Sequence, residues 1–62
     1  MISQRLRQLR LARGLSLDDL AAQMGGIVTK QALSKYENGK SQPSMSVLTK
    51  LAAALAVKSA YL

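Results

Sequence analysis

Cysteine and histidine are absent from these 62 residues, and so are phenylalanine and tryptophan. Without thiols or imidazoles there is no disulfide framework and no soft-metal site of the usual kind. General acid–base, metal and thiol catalysis lack their residues as well. Only three acids are present, and the adjacent pair among them, Asp18-Asp19, is placed to cap a helix. The chain is therefore expected to be no enzyme and to need no cofactor or metal. Nothing approaches the roughly 20 apolar residues of a membrane span, and the arginine-punctuated first ten residues have no apolar stretch of a secretory signal. A cytoplasmic protein is the expectation.

A chain this short buries only about 60% of the surface it exposes when unfolded. With no staples available, efficient helix packing must compensate. The composition suits that: leucine and alanine dominate the 48% apolar content, with two tyrosines, four glycines and one proline. Nine Lys/Arg against three acids give a net charge of +6 and a pI near 10.4. Such an excess either merely solubilises the surface or addresses a polyanion, a nucleic acid or an anionic membrane. The basic residues do not gather on one long helix, and turn signals break the chain three times, which disfavours a cationic membrane peptide.

Periodicity predicts an all-α fold, a compact bundle of four to five helices within one domain, 1–62. A first helix over about 3–13 is marked by Ile2, Leu6 and Leu9 on one face and stopped by Gly14. Ser16 opens a second, with Asp19 three residues on as a shortened capping box and both aspartates at the positive end of the dipole. Leu17, Leu20, Ala21 and Met24 follow at helical spacing before Gly25-Gly26. Thr29 caps a third over about 30–37, ended by Asn38-Gly39. Ser44 caps a fourth, striped by Leu48, Leu51, Ala52 and Leu55. Ser59 is placed to cap a fifth at 60–62, a start so near the last residue that it suggests the N-terminal part of something longer. The methionines Met1, Met24 and Met45 read as gap-fillers or chain start.

On a helical wheel the third segment separates cleanly. Ala32, Leu33 and Tyr36 share one arc, and Lys30, Gln31, Ser34 and Lys35 the other. Two cations, an amide and a hydroxyl with no acid are the groups that address phosphates and purine edges. Most polar helix faces are only solvated. Here, though, a short helix, a glycine turn and a second short helix give the layout of a helix-turn-helix.

The ordered set Arg10, Gly14-Leu15, Leu20-Ala21, Gly25, Ser34-x-x-Glu37-Asn38-Gly39, Pro43 and Leu48-x-x-Leu51-x-x-x-Leu55 resembles the helix-turn-helix family of lambdoid phage repressors, Cro proteins and bacterial xenobiotic-response-element regulators. The resemblance runs from about Ile2 to Leu62. It implies sequence-specific binding of double-stranded DNA by a homodimer on a pseudo-palindromic operator, in a transcriptional regulator, most simply a repressor. It places Lys30, Gln31 and Lys35 where relatives read bases, and Ser16, Thr29, Ser34, Asn38 and Lys40 where relatives touch phosphates. It pairs Arg10 with Glu37 as a structural ion pair. Two departures stand out. Leu17 replaces a glutamine common in relatives, and the stretch from Gly25 to Thr29 is about two residues longer than usual, so that either the turn bulges or the second helix extends.

Arg5, Arg7 and Arg13 read as solubilising charge or as outlying phosphate contacts, and Lys50 and Lys58 as solvent-exposed. Leu11, Val47, Leu62 and Tyr61 fall off the core stripe, and Val47, Ala54 and Tyr61 recur every seven residues as a candidate dimer patch. The competing reading is a protein adaptor or antitoxin-like partner on the same scaffold, which would need a partner covering Leu11, Leu17 or Val47.

Overall fold

A computed structural model describes residues 2–62. The face assigned to Ile2, the capping assigned to Ser59 and the placement of Met1 fall outside what it describes. Four α-helices follow one another: α1 (Ile2–Ala12), α2 (Leu17–Gln23), α3 (Lys30–Glu37) and α4 (Met45–Ala54), with a 3-10 turn at Ser59–Tyr61. No strand occurs among the described residues. The all-α bundle expected from periodicity is what forms, with a 3-10 turn in place of a fifth α-helix.

Caps fix the helix starts. Ser16 Oγ accepts from Asp19 N at 3.0 Å, and Ser16 N donates to Asp19 Oδ2 at 3.0 Å, a reciprocal box. That backbone N–H holds the Asp19 carboxyl below its ordinary pKa. Thr29 Oγ1 accepts from Ala32 N at 3.1 Å and Ser44 Oγ from Val47 N at 3.3 Å. The starts of α2, α3 and α4 are thus written locally, each in one hydroxyl.

The core joins all four helices: Leu6, Leu20, Leu33, Leu51 and Leu55 are fully buried, with Met24 and Val28 nearly so. Val47, Ala54 and Leu62 pack partly buried against this cluster. Val47 and Leu62 therefore belong to the core margin, and the seven-residue repeat Val47, Ala54, Tyr61 presents only Tyr61 as an exposed large side chain. The reason is register: Val47, Leu51 and Leu55 lie at i, i+4, i+8 and share the inward side of α4. Met45, by contrast, is 72% exposed and fills no gap.

Between α2 and α3 the turn bulges and the helix does not extend. Met24 caps α2, Gly25 N donates to Ala22 O at 3.0 Å and Gly26 N to Ala21 O at 3.3 Å. Gly25 and Gly26 lie at φ +70 and +76, the left-handed region that other residues enter only at a cost. After them Ile27 is left exposed, while Val28 turns into the core and so delivers Thr29 to cap α3.

Candidate nucleic-acid interface

Helix α3 packs against both α1 and α2. Leu33 is its buried anchor, with Ala32 and Tyr36 packed partly buried beside it. Lys30, Gln31 and Lys35 are exposed, and Ser34 is half-buried at the border of the two arcs. The amphipathic division read from the sequence is present, with an outward polar surface at the N-terminal end of the helix.

The hydroxyls near this surface are already held in place. In capping α2 and α3, Ser16 and Thr29 use their oxygens as acceptors. A hydroxyl that accepts in this way keeps its own proton to donate outward. Asn38 Nδ2 donates to Ser34 Oγ at 3.3 Å, which fixes a third hydroxyl and leaves the Ser34 proton and one Asn38 N–H to donate outward. Lys40, just past the C-cap, is exposed, and its backbone N–H closes the end of α3 on Lys35 O at 2.9 Å. Ser16, Thr29, Ser34, Asn38 and Lys40 thus offer donors suited to anionic oxygens.

One side chain ties the helix to its frame. Arg10 Nε donates to Glu37 Oε2 at 2.6 Å and Arg10 Nη2 to Glu37 Oε1 at 3.0 Å, while Arg10 Nη1 donates to Leu15 O at 2.8 Å. The two side chains are only 11% and 6% exposed. The fork-to-carboxylate geometry is bidentate, and it binds α1, the turn after it and the last residue of α3 into one unit. The Glu37 hydrogen bond raises the Arg10 pKa above its ordinary value, so the guanidinium stays charged.

Two contacts escape the sequence reading. Arg5 Nη1 donates to Tyr61 O at 2.8 Å, and its guanidinium lies 5.3 Å from the Tyr61 ring centroid. Arg5 is thereby a clamp on the C-terminal turn. Lys30 Nζ lies 3.8 Å from Asp18 Oδ2 across the two helices of the motif. Neither pair follows a helical period, so no local signal announces it. Among the described residues no group of three or more potential ligands could hold a metal ion, and no helix is long and apolar enough to cross a membrane.

Two short helices meeting at a glycine turn, the second outward-facing and basic with no acid on its polar arc, define a helix-turn-helix domain of the transcriptional-regulator type. The chain belongs to the HTH_3 helix-turn-helix family, whose model matches residues 6–62. It is 37% identical, over all 62 residues, to the SPbeta prophage-derived uncharacterized HTH-type transcriptional regulator YonR of Bacillus subtilis (strain 168). Among solved structures, an HTH_3 family transcriptional regulator from Vibrio cholerae superposes with a TM-score of 0.84 at 40% identity over 94% of this chain. A chain of a SinR protein/SinI protein complex does so with a TM-score of 0.87 at 39% identity over 98%. The chain spans 56% of the curated relative's length, and 32% and 58% of the two solved chains.

Proposed function

We propose that this domain binds double-stranded DNA sequence-specifically, with α3 in the major groove, as a homodimer on a pseudo-palindromic operator. One observation carries the reading: α3 is anchored inward by Leu33 while Lys30, Gln31 and Lys35 stand exposed on its other side. Gln31 offers the amide that pairs bidentately with adenine N6/N7, and the two lysines offer donors for guanine O6/N7. Ser16, Thr29, Ser34, Asn38 and Lys40 take the phosphates and set the register. Arg10 and Glu37 act on DNA only by holding α3 in place. The reading covers residues 1–62 as one domain, of the kind that its relatives carry within longer chains.

Repression is the economical regulatory outcome, because occupying a major groove excludes other proteins from that DNA without any further surface. Binding to a chromosomal operator places the protein in the cytoplasm. With no histidine or cysteine and its three acids engaged in a capping box and in ion pairs, the domain acts in this reading by binding alone.

Selection of bound duplexes from a random library tests the reading. It should return a two-fold-related pair of half-sites about 10 base pairs apart, centre to centre. Gln31→Ala should then lose about 1–3 kcal/mol at one base pair in each half-site and little elsewhere. No enrichment of any sequence would refute the proposal, and equal losses at every position would remove Gln31 from the base-reading set.

A further inference from the structure

The chain has three acids, and two are committed to the frame. Asp19 completes the capping box with Ser16, and Glu37 holds Arg10. Asp18 has neither task. Its side chain is 74% exposed, and its carboxylate reaches across to the Lys30 ammonium, itself 53% exposed, at 3.8 Å. An open pair of this length contributes little to stability. Its placement is informative instead. Lys30 occupies the first residue of α3, where the positive end of the helix dipole opposes a cation, and the carboxylate that pairs with it comes from the other helix of the motif.

We propose that Asp18 is a specificity-determining positioning residue that keeps Lys30 off the phosphates and presents it to a base edge. The inference rests on the DNA-binding reading above. An ammonium has three donors. At 3.8 Å from Asp18 the ammonium is held by charge and not by a hydrogen bond, so its donors stay available for the paired acceptors O6 and N7 of a guanine. A phosphate approaching the same ammonium would be brought against a like-charged carboxylate, whereas a guanine edge is neutral and suffers no such repulsion. Asp18 therefore penalises the sequence-independent use of Lys30 and tolerates the sequence-dependent one. It also restrains a long, flexible side chain that could otherwise swing to whichever phosphate lies nearest.

The test uses the wild-type chain, Asp18→Asn, Lys30→Gln and the double variant. Each is titrated with a duplex recovered by selection and with a length-matched duplex of random sequence, at several salt concentrations. Asp18→Asn should tighten binding to the random duplex by about 3–10-fold and steepen its log K against log salt slope by about 0.9 per bound copy, the increment for one added phosphate contact. Affinity for the selected duplex should change less than about two-fold, so the specificity ratio falls. In the Lys30→Gln background the tightening should shrink to below about two-fold, because the freed ammonium is gone.

Equal tightening on both duplexes would reduce Asp18 to bulk charge and overturn the proposal. So would the same tightening without Lys30, or no change on the random duplex. A wild-type chain that binds neither duplex at low salt would refute the DNA-binding reading itself, a result distinct from each of these. Asp18→Asn should lower Tm by only a few degrees, the loss of one acid from the α2 dipole, and leave the chain folded at the titration temperature, which separates the effect from folding.

Discussion

Glu37 shows how a single side chain can be indispensable to a surface it never forms. Its carboxylate is nearly covered, and both of its oxygens are engaged by Arg10. Removing it would strand a guanidinium that is only 11% exposed. We expect Glu37→Ala to cost about 3 kcal/mol, the lower end for such a pair, since Arg10 keeps its bond to Leu15 O. In a domain of this size that corresponds to a fall in Tm of more than about 10 °C, readable by circular dichroism. An unchanged melt would show that the pair is ornamental. Arg10 and Glu37 are 27 positions apart, and no local period links them. Their pairing was legible only through the family resemblance. Asp18 and Lys30 were each legible as a residue type, an acid on a dipole and a cation on an arc, but not as partners. Side-chain meetings between helices depend on packing angles that a one-dimensional pattern does not hold.

At the scale of elements, starts and stops were the most readable features because their causes are local. Three hydroxyl caps fix the three starts, and all four helices end alike. The residue after each C-cap takes positive φ, and the N–H groups on that residue and the next fold back onto the last turn. At α1, α2 and α3 that residue is Gly14, Gly25 or Gly39, but at α4 it is Ala56, with φ 59. Ala56 N donates to Ala53 O at 3.2 Å and Val57 N to Ala52 O at 3.0 Å, so the motif forms although its customary glycine is missing. This explains why the end of α4 was the least defined boundary in the sequence; the two alternatives at the α2–α3 turn had another cause, a pair of successive glycines, Gly25 and Gly26, followed by extra residues. A methyl group in the left-handed region costs about 1 kcal/mol relative to glycine. Ala56 is exposed, so removing that methyl opens no cavity. Ala56→Gly should therefore stabilise the domain by up to about 1 kcal/mol, a rise in Tm of roughly 4–8 °C. A lower midpoint in urea with an unchanged m-value would contradict this account of the α4 end.

For the whole molecule the decisive quantity is how the charge of +6 is spent. Arg10 is neutralised against Glu37 and so is not free to meet a polyanion without loss to the fold, whereas Arg5 gives one N–H to Tyr61 O and keeps an exposed, uncompensated charge. Lys30, Lys35 and Lys40 come from α3 and the turn after it, and all three are exposed. If these three lysines of each copy displace counterions, two copies on one operator should give a log K against log salt slope of about −5, and a single copy on a half-site about half of that. Sedimentation of the complex supplies the stoichiometry independently, so slope and copy number check each other. The proposed phosphate ligands and base readers then part in a predictable way. Lys40→Ala should flatten the slope by about 0.9 per copy and weaken every duplex alike, whereas Gln31→Ala should leave the slope unchanged. That contrast follows from what each residue gives up: a charge displaces condensed counterions wherever it meets DNA, and a neutral amide displaces none. A slope that moved with Gln31 but not with Lys40 would place the electrostatic contact on the wrong part of α3 and refute the docking proposed for it.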